Sequence, residues 1–316
     1  MTVPKTLYKY CAVNANSLRS IIQARAFYSP PIQFNDPLDC NPSLELNLSL
    51  TQLQSLLRKM MGDLGASDAD VRSEIDKIAY FATEIDPYKD INAFDAEFSF
   101  LLGQEIMRLL RRELGRKGVL SLAESWDDPL MWSHYADQHQ GICIEYRTKN
   151  TDIEHLKMVN YEAPRSIQAQ DIYRWKCEND AVAENQVFDT YFYAKAPQWK
   201  YEREWRDIAD TTGSKHSHFD ISAIHFGMRT DYVWKWTLVK SLQYDPHVEL
   251  FEVSPEDTSF KLQRHEMERD EIEQRGIDRS AFKMFANLEV EDIIDFSVGE
   301  RAIRHLKAGV SDKTKG

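Results

Sequence analysis

Four clusters of polar and aromatic residues stand out in the sequence, and no regular hydrophobic periodicity accounts for them. Carboxylates stabilise cationic transition states and aromatic rings pack against flat ligands, so such clusters are candidate parts of an enzyme site. In chain order, the clusters are residues 8–10 (YKY), residues 27–39 (FYSPPIQFNDPLD), residues 131–139 (MWSHYADQH), and Lys195 followed by residues 199–206 (WKYEREWR).

The last cluster carries two glutamates, Glu202 and Glu204, at alternate positions of a predicted strand at residues 201–208. Side chains alternate between the two faces of a strand, so we expect both carboxylates on one face. There, one can hold a substrate hydroxyl while the other engages a nucleophile. The alternative is a solvated edge strand on which Arg203 and Arg206 take part in cross-strand ion pairs.

Metal binding is another possible use of these residues. Carboxylate oxygens bind Mg²⁺ and a lysine can steady a phosphate, so a magnesium-dependent nuclease is a second hypothesis. Its site would consist of Asp36, Asp39, Glu202 or Glu204, and Lys200. His134, His139 and Cys143 lack a fourth zinc ligand, so we predict hydrogen-bonded structural roles for the histidines and no resident metal.

Well-known nucleotide and hydrolase signatures are missing from the sequence. It contains no GxGxxG, GxxxxGK[ST], HExxH or GxSxG. This argues against dinucleotide-binding dehydrogenases, P-loop enzymes, zinc proteases and α/β-hydrolases.

The composition is that of an acidic globular chain. Its 316 residues carry a formal charge of −12, and 42% of them are hydrophobic. A protein that coats nucleic acid needs clustered Lys and Arg, so any contact with nucleic acid must be local. The sequence has no long apolar segment and no leader-like start, and its four cysteines lack metal or disulfide spacing. We therefore expect a cytoplasmic protein with reduced thiols and no membrane contact.

Strands near both ends of the chain and a helical block between them predict an α+β fold. We expect one elaborated domain over residues 1–316, with a helical insertion of three amphipathic helices at residues 49–115 and a C-terminal elaboration at residues 245–316. Strands are predicted at residues 7–10, 27–29, 119–123, 141–146, 158–161, 201–208, 221–226, 248–253 and 260–264, and further helices at 17–26, after 128, and at 171–194, 232–242 and 290–306.

The insertion ends in a basic cluster. Basic residues at a helix C-terminus complement the helix dipole, and a local groove for nucleic acid is the alternative. The cluster consists of Arg108, Arg111, Arg112, Arg116 and Lys117.

In the four polar and aromatic clusters, the sequence resembles a bacterial family catalogued as domain of unknown function 2971. The resemblance rests on LYKY, FYSPPIQFNDPLD, MWSHYADQHQGICIEY and K-x3-W-x-YE-x-EWR, in this order between residues 7 and 206. The family is largely uncharacterised, so membership implies little about activity.

The first two clusters are also similar, more loosely, to the opening of ADP-ribosyltransferases. That resemblance implies a split β-sheet core. In it, one strand residue anchors the nicotinamide ribose, a serine-containing strand with aromatic neighbours shapes the NAD pocket, and a later strand supplies a glutamate. The matching places in chain order hold Tyr8 or Tyr10, Ser29 beside Tyr28, and Glu202-Arg203-Glu204. Neither His nor Arg occupies the anchor position, which departs from the common pattern.

The resemblance implies NAD as a co-substrate, and the residue types suit its chemistry. Cleavage of the N-glycosidic bond passes through an oxocarbenium-like ribosyl cation, which an aligned glutamate stabilises. We expect Glu204 and Glu202 to be catalytic, and Asn35 to pair with the carboxamide of nicotinamide. The expected NAD-binding residues are Tyr8, Tyr10, Tyr28, Ser29, Phe34, Asn35, Asp36, His134 and Tyr135.

These expectations together predict an NAD-dependent ADP-ribosyltransferase that modifies a nucleic-acid base or a protein side chain. The resemblance implies a toxin or a phage-defence effector. Such an activity needs restraint, so we expect a neutralising protein partner, with the charged stretch at residues 266–279 as a candidate contact surface and a solvated helix as the alternative. A non-catalytic module that binds a ligand or partner in the aromatic pocket is the third hypothesis.

Overall fold

The structure is a computed structural model that describes residues 2–84, 91–148 and 156–277. The chain divides into two compact units, residues 1–273 and 274–316, and the described part of the second unit ends at residue 277. The helix predicted at residues 290–306 therefore lies outside the described residues. None of the helices among the described residues combines the length and apolar character needed to cross a membrane.

Twelve strands and nine α-helices are present in the described ranges. The strands are β1 Thr6–Cys11, β2 Arg25–Tyr28, β3 Ser43–Glu45, β4 Gly118–Ala123, β5 Ile142–Arg147, β6 Lys157–Met158, β7 Ser166–Gln168, β8 Glu204–Ala209, β9 Gly213–His216, β10 Asp220–Phe226, β11 Glu249–Pro255 and β12 Leu262–Glu266. The helices are α1 Ala15–Ile22, α2 Leu50–Asp63, α3 Asp68–Glu84, α4 Ile91–Leu114, α5 Pro129–Tyr135, α6 Ala169–Glu178, α7 Ala181–Tyr193, α8 Tyr232–Ser241 and α9 Arg269–Arg275. The predicted α+β class is confirmed.

Eight of the strands form one mixed sheet in the order β12-β11-β10-β5-β1-β4-β8-β6. Neighbouring strands are antiparallel, apart from the parallel pair β10 and β11. Two small sheets, β2 with β9 and β3 with β7, lie outside it. Local sequence patterns predicted the strands of the large sheet and β2, but not β3, β7 or β9. The order of the strands depends on contacts between distant segments.

The junction between β1 and β4 divides the large sheet into two halves. These two strands pair at a single position, with Tyr8 opposite Ala123. By contrast, β1 pairs with β5 at six positions, and β4 pairs with β8 at six. Next to the single pair, the ammonium of Lys9 donates to the carbonyl oxygen of Ser121 at 3.0 Å. We call this junction the seam.

The two faces of the sheet have different covers. On β4, Leu120 and Leu122 belong to a core that includes Ile21 of α1 and Leu238 of α8, so these helices cover one face. On the opposite face, Val119 packs into the core of the helical insertion, while Ala123 packs with residues of α5. The cover of this second face therefore changes at the seam, from insertion helices to α5.

The three helices α2, α3 and α4 lie within residues 49–115, the range predicted as a helical insertion. Ser49 and Gln52 form a capping box at the start of α2, and Ser67 and Asp70 exchange the equivalent hydrogen bonds before α3. Side chains at such positions satisfy the first backbone N–H groups of a helix.

Two predicted helices have different bounds in the structure. The helix predicted at residues 171–194 is divided into α6 and α7, because Asn179 adopts a left-handed backbone conformation (φ 57°) and Asp180 then caps α7. Asn tolerates that conformation and Asp is a favoured N-cap. The helix predicted at residues 17–26 ends at Ile22, and Ala24 (φ 48°) turns the chain into β2.

Candidate functional site

A cavity of about 290 Å³ opens at the seam, on the face where the cover of the sheet changes. It is lined from β1 on one side and from β4 and β8 on the other. Nine of the residues predicted for the site line it, namely Tyr8, Tyr10, Ser29, Phe34, Asn35, His134, Tyr135, Glu202 and Glu204.

The strands hold the inner wall of the cavity in a fixed position. The Tyr10 hydroxyl donates to the carbonyl oxygen of Ser125 at 2.9 Å, and the Tyr10 ring lies edge-on to Trp132 with 5.3 Å between centroids. Ser29 forms a β-bridge to Val119, with two backbone hydrogen bonds of 3.0 and 2.9 Å. These contacts are satisfied within the protein, so the wall is preorganised.

Arg206 is the first of two buried cations at the base of the cavity, and its side chain is fully buried. Its guanidinium makes a two-point contact with Asp39 (2.9 and 2.6 Å) and another with Glu204 (2.7 and 2.9 Å). It also donates to the carbonyl oxygen of Phe192 at 2.6 Å. The planar fork of arginine suits such paired contacts with carboxylates.

Lys195 is the second buried cation. Its ammonium donates to Glu204 at 2.8 Å and to Glu202, and it lies 3.5 Å from Asp39. We call these five residues, Lys195, Arg206, Asp39, Glu202 and Glu204, the cavity cluster. With every member ionised, the cavity cluster has one negative charge in excess.

Both glutamates contact Lys195, as neighbours on one strand would, but they do not lie on one strand as predicted. Glu202 is the last residue of a 3₁₀ turn, Pro197–Glu202, and β8 begins only at Glu204. Arg203 between them has a left-handed backbone (φ 44°). The strand predicted at residues 201–208 is therefore wrong over its first residues. A turn, not strand alternation, brings both carboxylates to one cation.

The surrounding charges hold Glu204 ionised. Burial opposes ionisation of this carboxyl, but Arg206 and Lys195 outweigh it, so its pKa lies well below the usual range. The same contacts raise the pKa of Lys195 and of Arg206 above their ordinary values, against the effect of burial. The ions stay charged because each has a partner within hydrogen-bond distance.

Glu202 has a different electrostatic environment. Burial is the largest influence on it and raises the pKa of its carboxyl, in part against the attraction of Lys195. The Tyr135 hydroxyl donates to Glu202 Oε1 at 2.6 Å, and the Asn35 amide donates to the Tyr135 oxygen at 3.3 Å. Glu202 thus lies between the buried cations and the partly exposed polar residues of the cavity mouth.

Lys9 also lines the cavity, from the seam. Burial lowers the pKa of its ammonium, and the nearby Glu204 and Glu202 oppose that shift. Lys9 is therefore a third cationic group at the cavity.

Two of the residues predicted to bind NAD do not line the cavity. The Tyr28 hydroxyl donates to the carboxylate of Asp207 at 2.5 Å within the core. Asp36 accepts the indole N–H of Trp199 at 2.8 Å. Both side chains therefore have structural partners, and the prediction that they contact NAD stays a prediction.

Of the residues of the alternative nuclease site, Asp39, Glu202 and Glu204 meet at the cavity, whereas Asp36 and Lys200 do not line it. Lys200 is 69% exposed and pairs with Glu162 at 3.4 Å, outside the cavity. Lys195 and Arg206 already bind the carboxylates of Asp39, Glu202 and Glu204. Across residues 2–84, 91–148 and 156–277, no group of three or more His, Cys, Asp or Glu is arranged to hold a metal ion.

The basic cluster at the end of the insertion lies outside the cavity, and two of its residues form ion pairs there. Arg108 pairs with Glu105 on α4, and Lys117 pairs with Asp210 at 2.9 Å. None of the five basic residues lines the cavity at the seam.

Sequence reasoning missed the roles of Lys195 and Arg206 as counter-ions. One signal was present, because Lys195 lies in the run YFYAKAPQW, where a lysine is flanked almost only by aromatic and small apolar residues. A lysine in such a run is a candidate for a buried charge, and a buried charge needs a partner.

Comparison with known protein families gives a match over part of the chain. The model of the family described as Protein of unknown function (DUF2971) matches residues 131–206, which is about a quarter of the chain. The matched segment contains His134, Tyr135, Lys195, Glu202 and Glu204. No curated protein and no solved structure matches the chain. The predicted resemblance to this family of unknown function is confirmed over residues 131–206.

Proposed function

We propose that this protein is an NAD-consuming ADP-ribosyltransferase that modifies a macromolecule. The observation that carries the proposal is that Tyr8, Ser29 and Glu204 line one cavity, although 21 and 175 positions separate them along the chain. The seam, which nearly splits the large sheet in two, is a second supporting feature, because the ADP-ribosyltransferase resemblance implies a split sheet.

The proposed reaction transfers ADP-ribose from NAD⁺ to a nucleophile. The bond between C1′ of the ribose and the nicotinamide nitrogen breaks, and its electron pair leaves with neutral nicotinamide. A new bond forms between C1′ and a nitrogen or oxygen of the acceptor, and the acceptor releases a proton. NAD⁺ supplies the leaving group, so the protein has to supply position and charge.

Glu204 is the proposed stabiliser of the ribosyl cation. Arg206 and Lys195 keep it ionised, so a full negative charge is in place before the reaction begins. One of its oxygens, Oε1, accepts a single hydrogen bond, from Nε of Arg206. A carboxylate oxygen can accept two, so Oε1 has capacity for a ribose hydroxyl.

Glu202 is the proposed base that takes the proton of the acceptor. Its raised pKa brings it closer to the range in which a carboxylate accepts a proton readily near neutral pH. It lies on the side of the cavity cluster that adjoins Tyr135 and the mouth, where an acceptor would approach. The two glutamates thus have separate tasks because their environments shift their pKa values in opposite directions.

The remaining lining residues suit the nicotinamide end of the dinucleotide. Tyr8 and Tyr10 supply aromatic wall, and the Asn35 amide at the mouth can pair with the carboxamide of nicotinamide. A cavity of about 290 Å³ accommodates a nicotinamide riboside unit, and the adenylate would extend through the mouth.

The proposal includes a biological setting. An enzyme that consumes NAD and modifies macromolecules suits a toxin or a phage-defence effector in the cytoplasm, held in check by a neutralising protein. Residues 266–279 stay a candidate surface for that partner. They include the short charged helix α9, and the last two of them lie outside the described residues.

Incubation of the protein with NAD labelled on its adenylate, in cell lysate containing EDTA, tests the proposal. We expect label in protein or nucleic acid with the native chain, and at least about 100-fold less with Glu204→Gln. Glu145→Gln is the matched control, because Glu145 is another largely buried carboxylate of the same sheet that does not line the cavity. Absence of label with a folded native sample, or full labelling by Glu204→Gln, would contradict the proposal.

A further inference from the structure

We propose that the acceptor is a base of single-stranded nucleic acid, which docks on a strip of aromatic and basic residues at the cavity mouth. This inference rests on the proposed function. We call the surface the rim strip, and it consists of His134, Tyr135, Trp199, Lys200, Tyr201 and Arg203.

The rings of the rim strip follow one another without a gap. The centroid of His134 lies 6.2 Å from that of Tyr135 and 6.3 Å from that of Trp199, and Trp199 lies 6.0 Å from Tyr201. His134 is exposed and the other three are partly exposed. His134 and Tyr135 also line the cavity, so the strip leads from the cavity outward.

The protein fixes the central ring of the strip. The indole N–H of Trp199 donates to Asp36 at 2.8 Å, and the ammonium of Lys195 lies 5.3 Å from the ring centroid. Successive bases of a single strand stack on such rings irrespective of sequence, because every base presents a π-face. A ring held in place loses little freedom on binding, which favours stacking.

Two cations accompany the rings on the same short turn. Lys200 is 69% exposed, and its contact with the exposed Glu162 is one that solvent and salt screen strongly. Arg203 is also exposed, and it occupies a left-handed backbone position (φ 44°) that glycine or asparagine adopts at lower cost. Along the chain, Lys200 and Arg203 each follow a ring of the strip, Trp199 or Tyr201, within two positions, which puts charge for phosphates near the rings for bases.

The inner end of the strip meets the proposed base of the reaction. Tyr135 donates to Glu202 at 2.6 Å, so a nucleotide base stacked beside Tyr135 presents its edge near that carboxylate. A ring or exocyclic nitrogen of the base attacks C1′ of the ribose, its proton passes to Glu202, and neutral nicotinamide leaves with the electron pair. If the acceptor were a protein side chain, the outer rings of the strip, Trp199 and Tyr201, would have no role in binding it.

Local recognition of this kind agrees with the net charge of −12. The strip provides only two exposed cations, so we expect modest affinity and a shallow dependence on salt. Bases in a duplex are stacked on each other, so duplexes should bind less well than single strands.

Fluorescence anisotropy with fluorescein-labelled 12-mers of single-stranded DNA, single-stranded RNA and duplex DNA, without NAD, tests the docking step. We expect single strands to bind and duplexes to bind at least tenfold more weakly. Trp199→Leu should weaken binding about five- to a hundred-fold. Lys200→Glu, on an exposed side chain, should weaken it and reduce the slope of log K against log salt by roughly 0.7. Lys261→Glu, the same change on an exposed lysine next to the far edge strand β12, should leave binding unchanged.

The same oligonucleotides are then incubated with labelled NAD. Transfer of label to a single strand, lost with Lys200→Glu and kept with Lys261→Glu, supports the inference. If single strands bind but NAD is not consumed in any lysate, the proposed function fails and the docking surface stands. If NAD labels a protein and no oligonucleotide binds, the proposed function stands and this inference is overturned. Equal binding by Lys200→Glu, Trp199→Leu and the native chain would also overturn it.

Discussion

Two clusters of buried charge lie on the large sheet, one on each side of the seam, and they contrast in what surrounds them. The cavity cluster joins Lys195 and Arg206 to three carboxylates and borders empty space. The second cluster, which we call the imidazole cluster, lies on the half-sheet of β5 and β10. It consists of His225, Glu145, Arg264 and Ser222.

Aromatic rings enclose the imidazole cluster. The His225 ring is stacked between Trp126 (5.5 Å) and Phe251 (5.2 Å), and its Nε2 lies 3.4 Å from Glu145. Glu145 also accepts a hydrogen bond from Ser222 at 2.7 Å and pairs with Arg264 at 3.3 Å. The hydrogen bond from His225 is the largest influence on Glu145 and lowers the pKa of its carboxyl to about 2.

The contrast shows that buried charge alone does not indicate a site. Both clusters shift pKa values, but rings fill the space around the imidazole, whereas a cavity borders Glu202 and Glu204. Perturbed ionisation marks a functional site only where a ligand has room to reach it. We therefore propose structural stabilisation for the imidazole cluster and chemistry for the cavity cluster.

The largest expected difference between the clusters is in the stability lost when one cation is removed from each. Arg206→Met leaves Asp39 and Glu204 buried without their main partner, and we expect a loss of about 3–5 kcal/mol in the free energy of unfolding. Arg264→Met removes a cation whose side chain is one third exposed, and we expect about 1 kcal/mol or less. Urea denaturation at pH 7 measures both. Equal losses would remove the distinction between the clusters.

Removal of a carboxylate from each cluster should separate activity from stability. Glu202→Gln eliminates the proposed base, and we expect the rate of nicotinamide release to fall about 100-fold with little change in Tm. Glu145→Gln should lower Tm and leave the rate unchanged, because Glu145 does not border the cavity. The comparison fails if Glu202→Gln keeps the native rate or if Glu145→Gln loses it.

Tyr135→Phe should have a smaller and pH-dependent effect. The lost hydrogen bond favoured the ionised form of Glu202, so its pKa rises further, while Lys195 and Glu204 remain as its charged neighbours. The acidic limb of the rate profile then moves to higher pH, and the rate at pH 7 falls about two- to tenfold. Tyr28→Phe, which removes a hydroxyl bound to Asp207 outside the cavity, should leave the limb in place.

The smallest effect concerns His225 and the dependence of stability on pH. Burial lowers the pKa of this imidazole, so below its ordinary value of about 6.5 the unfolded chain binds a proton that the folded chain resists. Stability therefore falls as the pH decreases through 6.5. His225→Phe keeps the stacked ring and removes the contribution of His225 to this pH dependence. That contribution is a change of less than about 1 kcal/mol in the free energy of unfolding between pH 7 and pH 6. Thermal unfolding over that range measures it, and an unchanged slope would contradict the assignment.

Local sequence patterns were enough to locate most of the elements. Alternating or apolar runs gave β1, β4, β5 and β10, and capping residues such as Ser67 and Asp70 gave the starts of the insertion helices. These features depend on residues within a few positions of one another. That the aromatic and carboxylate clusters share one site was an expectation from the resemblance to ADP-ribosyltransferases, and nine of the expected residues line one cavity.

Contacts between residues far apart in the chain could not be predicted from the sequence. Arg206 and Asp39 form an ion pair although they are 167 positions apart. Neither local sequence contains a pattern that predicts the other residue as its partner. The turn ending at Glu202 was missed because YEREWR alternates as a strand does, and the left-handed residue within it is Arg203, not a glycine. Tertiary packing decided both cases.

Because β1 and β4 pair at only one position, the seam affects how substitutions can change the ligand preference of this chain. Where a full ladder joins two strands, backbone hydrogen bonds fix their separation, whereas side chains from both halves meet across the space beside the single pair of Tyr8 and Ala123. The length of those side chains therefore determines the dimensions of the cavity. One substitution at a wall position outside the cavity cluster can exclude one ligand and admit another while both half-sheets keep their ladders. At those positions, ligand choice and fold stability are separately adjustable.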